Sequence, residues 1–444
     1  MTFTSHISLL FQVFFVAFAA TIPAFLASID ADAHIVEFDE FLQKRAENAL
    51  QASLRAYNPD PEAVTENFNK QVGEALKGGN ETRRNLRADS CMATNPIDRC
   101  WRCDPDWANN RKRLARCARG FGHHTTGGKD GRYYVVTDPS DDNVEEPKPG
   151  TLRHAVIQEE PLWIIFERNM VIRLKQELLI NNDKTIDGRG AEVHIAYGAG
   201  LTIQFVQNII IHNIKVHHIV PRSGGMIRDS VLHVGLRTRS DGDGISIFSA
   251  SHIWIDHVSL SKCTDGLIDA IMASTAITVS NCKFNNHNEV MLLGANDGHT
   301  EDTIMQVTVA FNRFGKGLVQ RMPRCRWGFF HVVNNDYAQW KMYAIGGSAH
   351  PTIISQGNRF KAAPNQFTKE VTKRDYAEKS EWMGWQWRSE GDKFLNGAFF
   401  VESGPPLKNS PFTGKNKIQF KPGSYAGRLT RYAGALKCKE GQGC

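Results

Sequence analysis

The sequence has no long apolar run after its first residues. Beyond residue 28, no segment reaches the roughly 20 consecutive apolar residues that a membrane-spanning helix needs, so no membrane span is expected. Residues 1–28 contain no Asp, Glu, Lys or Arg, and residues 7–20 are strongly apolar. This composition is typical of a secretory signal peptide. We therefore expect a secreted, extracellular protein.

The chain also lacks a concentrated block of basic residues. Lys and Arg number 53 against 47 Asp and Glu, which gives a formal net charge of +6. A nucleic-acid-binding surface needs basic residues gathered along one stripe, so no nucleic-acid partner is expected. A mild positive excess suits an acidic polysaccharide but is too weak to identify one.

Instead, the sequence has a repeat. Five short apolar segments rich in Ile and Val lack the 3.6-residue rhythm of a helix, and each ends in a polar turn residue, usually Asn. They end at His257, Asn281, Asn312, Asn335 and Asn358, in steps of 24, 31, 23 and 23 residues. A period in the low twenties with one strand and one turn per repeat predicts a solenoid.

The repeat favours an all-β parallel β-helix over a leucine-rich repeat. The L-x-x-L-x-L pattern of a leucine-rich repeat is missing. Asn suits a sharp corner because it tolerates the left-handed backbone region. Stacked Asn amides can also hydrogen-bond from one coil to the next, so we expect an asparagine ladder.

Acidic residues recur with the same period. Asp241, Asp265 and Glu289 are 24 residues apart, with Asp243 and Asp269 nearby. Residues one period apart should stack at roughly 4.8 Å, where two charges repel by roughly 3 kcal/mol at an effective dielectric constant of about 20. A cation would compensate this repulsion. Carboxylates without Cys or paired His favour a hard ion, and Ca²⁺ is the leading choice.

Two other interpretations of the acids are a set of ordinary turns and an EF-hand. Asp-Gly pairs such as those in 241–244 also mark ordinary turns, although the repeat spacing favours a site. An EF-hand is excluded because position 12 counted from Asp241 is His252, where that loop needs Glu.

An arginine cluster follows the acids by one longer step. Arg321, Arg324 and Arg326 lie within six residues around a Pro. Such residues are often only a solvated face, but Arg also binds carboxylates bidentately. An acidic cation site followed by these arginines predicts a site for a polyanion.

Several longer motifs resemble those of the plant pectate lyases, over about residues 91–404. They are Asn95–Cys103, Asp187–Gly190, Asp241–Ile247, Trp254–His257, Asp265–Asp269, Arg321–Arg326 and Tyr343–Gly347. The resemblance implies a right-handed parallel β-helix that cleaves de-esterified homogalacturonan, or pectate, by β-elimination.

The resemblance also implies roles for individual residues. Asp241, Asp265 and Asp269 would bind Ca²⁺, and Asp243 would be a fourth ligand. It implies further that Arg321 is the catalytic base and that Arg326 binds a substrate carboxylate; Arg324 is assigned to substrate binding with it. The segment 254–257 would support the fold near the site, with its His structural. Glu289 departs from bacterial relatives, which commonly have Lys there, and so leaves the details of substrate binding open.

The chain divides into four predicted parts. These are a signal peptide at 1–28, a helical N-terminal region and linker at 29–90, the β-helix domain at 91–404 and a C-terminal tail at 405–444. Apolar residues recur at helical spacing in the second part, and Asp60-Pro61 suits a helix start. Asn80 begins a glycosylation sequon in the linker. A short helix near 151–156 is expected to cap the open end of the solenoid before a first buried strand at 163–166.

Nine cysteines in a secreted chain predict disulfides, with at least one cysteine left over. The cluster of Cys91, Cys100, Cys103 and Cys117 is expected to form a disulfide staple rather than a zinc site, with the connectivity open. Cys263 and Cys282 are expected to be either bonded or packed in the core.

Three functions remain from the sequence. The leading one is a monomeric Ca²⁺-dependent pectate lyase of the cell wall. The alternatives are a β-helix pectin hydrolase that uses paired Asp as acid and base, and a non-catalytic protein that binds pectate.

Overall fold

The computed structural model describes residues 39–81, 93–405 and 420–444. Three parallel sheets of ten, nine and eight strands wind around a common axis, so that each coil supplies one strand to each sheet. The ten-stranded sheet contains Arg132–Val136, Leu162–Phe166, Lys184–Asp187, Gln207–His212, Ser251–Asp256, Thr275–Ser280, Gln306–Ala310, Phe329–Val333, Thr352–Gln356 and Trp387–Glu390. The nine-stranded sheet contains Met170–Ile172, Val193–Ala196, Lys215–His217, Ser259–Ser261, Lys283–Asn285, Arg313–Phe314, Asp336–Ala338, Arg359–Lys361 and Lys393–Leu395. The eight-stranded sheet contains Leu178–Leu179, Leu201–Gln204, Ile245–Phe248, Ile268–Ile271, Met291–Leu293, Arg324–Arg326, Ile345–Ser348 and Thr372–Arg374.

The remaining strands form two small pairs, and the helices are short except for two near the N-terminus. Gly225–Ser230 and His233–Arg237 form an antiparallel hairpin, and His287–Glu289 pairs with Leu318–Gln320. The α-helices are α1 (Glu40–Ala56), α2 (Pro61–Glu81), α3 (Pro96–Trp101), α4 (Leu152–Val156), α5 (Lys379–Trp382) and α6 (Ala426–Leu429). The 3₁₀ helices are Arg111–Arg116, Gly120–His124, Thr300–Ile304 and Gly423–Tyr425.

The core consists of apolar rows that run along the solenoid axis. In the ten-stranded sheet, Ile255, Val279, Val309 and Val332 pair in register from coil to coil, and all are fully buried. Each side chain therefore packs above and below a similar one, and burying one contributes about 1.5–3 kcal/mol. The parallel β-helix that the repeat predicts is confirmed.

The asparagine ladder is present, although its residues are not the ones that adopt the left-handed backbone. The Asn312 backbone N–H donates to Asn335 Oδ1 at 2.9 Å, and the Asn335 N–H donates to Asn358 Oδ1 at 2.8 Å. In these coils the left-handed residue comes one position earlier, at Phe311, Asn334 and Gly357.

The ladder positions need an amide that can reach the next coil. The left-handed corner needs only a residue whose backbone can adopt a positive φ, as Phe311, Asn334 and Gly357 do here. The two roles that the sequence assigned to one Asn are therefore divided between neighbours.

The N-terminal helices pack against the solenoid. Leu42, Ala46 and Ala49 form the buried side of α1, and the Asp60 carboxylate caps α2 by accepting from the Ala63 N–H at 3.0 Å. The backbone of Asn80 lies in the last turn of α2 rather than in a linker. Its side chain lies outside the described residues, so glycosylation there stays a prediction, as does the signal peptide at 1–28.

The N-terminal end of the solenoid begins one strand earlier than predicted. Helix α4 is capped by Thr151, whose Oγ1 accepts from the His154 N–H, and it packs against the first strands of the stack. Before it, Arg132–Val136 already pairs with Leu162–Phe166. Its alternating exposed and buried residues differ from the later apolar strands, because this strand is the edge of the sheet.

Disulfides lie at the two ends of the described chain. Cys100 is bonded to Cys117 and Cys438 to Cys444, and Cys103 is also disulfide-bonded. Cys263 and Cys282 are free thiols. Of the two predicted alternatives, a disulfide bond or packing in the core, the second is therefore observed. Searching the described residues finds no helix with the length and hydropathy to cross a bilayer.

Candidate active site

The predicted site residues converge on the outer face of the eight-stranded sheet. Along one outward row, Asp269 pairs with Leu292 and Leu292 with Arg324. The residues that alternate with them, Ile268 and Cys325, point into the core. The period-2 alternation of strands therefore places acids and arginines on one surface.

The acids form the cluster that the repeat predicts. Asp241, Asp243 and Asp265 each place one carboxylate oxygen so that the three atoms lie within 4.8 Å of one another. Asp241 and Asp265 are therefore neighbours on adjacent coils, as the repeat predicts. The strands that follow them pair in a step of 23 residues rather than 24, since Ile245 pairs with Ile268.

Two glycines make the cluster possible. Gly242 adopts φ +103°, a conformation that L side chains rarely adopt, and lies between Asp241 and Asp243. A Cβ on Gly266 would lie 2.3 Å from Asp269 Oδ1, so the absence of a side chain there leaves room for the fourth carboxylate. The Gly266 backbone N–H also donates to Asp243 Oδ1 at 2.7 Å.

The carboxylates repel one another strongly. Burial and the charges of Asp269, Asp241 and Asp265 raise the pKa of Asp243, which is 7% exposed, well above its ordinary value. Burial and Asp265 raise the pKa of Asp269 to about 8. Burial, Asp241 and Glu289 raise the pKa of Asp265. The arrangement therefore concentrates negative charge, which Arg321 offsets only in part.

Glu289 links the acids to the arginines. Arg321 Nη2 lies 3.0 Å from Glu289 Oε1, and the Glu289 carboxyl also hydrogen-bonds Asp265. Both Glu289 and Arg321 are about one-quarter exposed. The sequence left Glu289 open between repelling substrate and holding a cation, and the structure shows it paired with Arg321.

Two acids that the sequence analysis did not identify position the other arginines. Arg324 Nη1 donates to Asp375 Oδ2 at 2.6 Å, and Arg326 Nε donates to Asp297 Oδ1 at 2.6 Å. Arg326 Nη1 also donates to the Gly294 carbonyl at 2.8 Å. Asp297 and Asp375 lie 29 and 51 residues from their partners, so no repeat spacing marks them.

His257 lies elsewhere. It is fully buried beneath α3, where its Nε2 and Asp98 Oδ1 are 2.8 Å apart, and its Nδ1 donates to the Gly434 carbonyl. A structural role is consistent with this burial. The strand of this segment, Ser251–Asp256, belongs to the ten-stranded sheet and directly follows Ile245–Phe248 of the site's sheet in the same coil. That the segment supports the fold near the site stays a prediction.

The sequence is similar to known proteins over nearly its whole length. Residues 34–86 match the family model "Pectate lyase, N terminus", and residues 171–381 match the model "Pectate lyase". A pectate lyase of Lilium longiflorum is 62% identical over 95% of this chain and 97% of its own length. "Probable pectate lyase P59" of Solanum lycopersicum is 56% identical over 97% of each chain.

Solved structures agree with the fold. Jun a 1, the major allergen from cedar pollen, is 47% identical and has a TM-score of 0.74, covering 77% of this chain and 99% of its own. A pectate lyase from Bacillus sp. N165, solved with trigalacturonate, is 20% identical with a TM-score of 0.52 and supports the fold alone; it covers 72% of this chain and 98% of its own. With relatives this similar over this much of its length, the chain belongs to the pectate lyase family.

Proposed function

We propose that this protein is a Ca²⁺-dependent pectate lyase that cleaves (1→4)-α-D-galacturonan by β-elimination. The products would carry 4-deoxy-α-D-galact-4-enuronosyl ends. We propose further that the enzyme is secreted and acts on pectin of the plant cell wall. The observation that supports the proposal most is the cluster of mutually repelling carboxylates beside three arginines on one open face.

The donor set fits a hard cation. Asp241, Asp243 and Asp265 offer oxygen atoms within 4.8 Å of one another, and Asp269 adjoins Asp243 closely enough to raise its pKa. Oxygen-only donors with several carboxylates are typical of Ca²⁺ sites. We assign these four residues as its ligands. When bound, the ion would neutralise a uronate carboxylate and make the C5 proton of that ring more acidic.

The arginines supply the remaining chemistry. Arg324 and Arg326 are anchored by Asp375 and Asp297, so their guanidinium groups are held in fixed positions that suit substrate carboxylates. Fixed donors cost little reorganisation when the substrate binds. We assign both to substrate binding.

Arg321 is the proposed base. The C5–H bond breaks and its proton passes to Arg321, its electrons form the C4=C5 double bond, and the C4–O bond breaks with its electron pair on the leaving oxygen, which takes a proton from water. Glu289 pairs with Arg321 and so positions it at the edge of the acidic cluster. Arg ordinarily has a pKa above about 12 and accepts a proton only when neutral, so we expect activity to rise into the alkaline range. A pH–rate profile that peaks below pH 6 would contradict this role.

The decisive experiment follows ultraviolet absorbance of unsaturated uronates with polygalacturonate as substrate, with Ca²⁺ and then with excess chelator. We expect absorbance to rise with Ca²⁺ and the rise to stop with chelator. New reducing ends without absorbance would instead indicate a hydrolase. Binding of substrate without either signal would indicate a non-catalytic pectate-binding protein.

A further inference from the structure

The outward row that carries Asp269 and Arg324 continues for two more coils. Arg324 pairs with Gly346, and Gly346 pairs with Lys373. Four strand steps separate Asp269 from Lys373, which is roughly 19 Å at the usual strand spacing. A polysaccharide that contacts both the acidic cluster and the arginines must run along this row. The row does not end at Arg324.

Lys373 offers a charge at the far end of the row. Its side chain is exposed, and it forms no ion pair with any other residue that the structure describes. Between it and Arg324, Gly346 has no side chain, and the buried Tyr343 ring packs over it, 2.4 Å from where a Cβ would lie. Two cations spaced two strand steps apart along one row suit an anionic polymer more than a compact ligand.

Tyr376 lies beside the same positions. Its ring is 86% exposed, and the Arg324 guanidinium carbon lies 5.5 Å from the ring centroid. Its backbone has φ +61°, an unfavourable conformation for a bulky aromatic residue. Strained residues that persist often serve a functional site, and an exposed aromatic face can pack against the apolar face of a sugar ring.

We propose that Lys373 and Tyr376 form a distal uronate subsite, which rests on the proposed function. Lys373 would pair with a carboxylate, and Tyr376 would stack against the ring of a galacturonate unit beyond those held by the arginine cluster. Asp375, the nearby acid, is already paired with Arg324 and does not oppose the substrate charge. The subsite makes the enzyme prefer long de-esterified chains.

Calorimetry with oligogalacturonates and Ca²⁺ tests this, using the Arg321→Lys protein to suppress cleavage. Lys373→Ala and Tyr376→Ala are each added to that background. Lys361→Ala is the matched control for charge, because Lys361 is an exposed lysine of the preceding coil on the nine-stranded sheet. Tyr197→Ala is the control for the aromatic ring, since Tyr197 is 51% exposed and also has φ +62°.

We expect Lys373→Ala to weaken hexamer binding about two- to fivefold, and Tyr376→Ala about two- to tenfold. Trimer binding, which the acids and arginines dominate, should not change, and neither control should alter the hexamer-to-trimer ratio. An unchanged ratio in both test variants would overturn the subsite and leave the proposed function standing. If the parent protein binds no oligogalacturonate at all, the proposed function fails, and the subsite fails with it.

Discussion

Two charged clusters of this protein use the same residue types in opposite ways. In the candidate site, called the groove below, Asp243 is surrounded by Asp241, Asp265 and Asp269 (the groove acids), and its pKa is raised. Behind the ten-stranded sheet, Asp187 is fully buried but contacts Arg189 and Arg111, and these cations lower its pKa despite the burial.

This difference distinguishes buried acids that stabilise the fold from buried acids that bind a ligand. Asp187 also accepts from Trp163 Nε1 at 3.0 Å, so its neighbours complete its hydrogen bonding and balance its charge. Such a group stabilises the fold and needs no ligand. The groove acids lack this balance, and their repulsion is the unfavourable free energy that a bound cation can remove.

The largest expected effect is on activity at the groove. Arg321→Lys should lower the rate of pectate cleavage by about 10²–10⁴-fold, because the base is misplaced. Far-ultraviolet circular dichroism should not change, since Arg321 lies in a turn between the strands Leu318–Gln320 and Arg324–Arg326 and its side chain is partly exposed. Arg313→Lys, at an exposed arginine of the nine-stranded sheet, is the matched control and should retain full activity.

The next largest effect concerns stability behind the ten-stranded sheet. Asp187→Asn should lower the free energy of unfolding by about 3–5 kcal/mol, because Arg189 and Arg111 would be left buried without a counter-charge. Denaturant unfolding measures the change. Asp142→Asn, at an exposed carboxylate, should cost almost nothing. Equal losses in the two variants would contradict the distinction drawn between the clusters.

His257, buried beside Asp98 and Asp256, gives the folded protein a pH-dependent stability. Burial disfavours the charged ring, but Asp98 and Asp256 outweigh it and raise the pKa of His257 above 6.5. The folded protein therefore binds this proton more tightly than the unfolded chain. Its stabilising contribution is complete below pH 6.5 and is lost as the pH rises through the raised pKa.

His257→Gln should accordingly cost about 1–3 kcal/mol at pH 5.5 and clearly less at pH 9. Thermal unfolding of both proteins at the two pH values measures the difference. A cost that is the same at both would show that the ring acts only as a neutral hydrogen-bonding group.

The smallest expected effect is on stability, and it should be a gain rather than a loss. With chelator present, Asp243→Asn should raise the free energy of unfolding by on the order of 1 kcal/mol, because one of the repelling charges is removed. The same change should weaken Ca²⁺ binding, which calorimetry measures. If it destabilises the protein as Asp187→Asn does, the groove acids are structural and the comparison between the clusters fails.

Much of the fold could be predicted from local patterns. The strands after His257 recur at similar intervals, mostly 23 or 24 residues with one of 31, because each coil must bury the same apolar rows. The ladder residues Asn312, Asn335 and Asn358 follow from that repetition. The coil-to-coil register of the strands that follow the acids could not be predicted. One extra residue in a turn changes the step from 23 to 24, and the sequence does not show which turn contains it.

The candidate site, like the fold, could be predicted only in part from the sequence. The sequence by itself determined the solenoid and placed Asp243, Asp265, Asp269 and Arg321 on neighbouring coils, because repetition along the chain becomes proximity in the stack. Only the tertiary structure decided that Glu289 pairs with Arg321 and that distant acids hold the other arginines. Those pairs join residues whose separation follows no repeat, and only the winding of the coils brings them together.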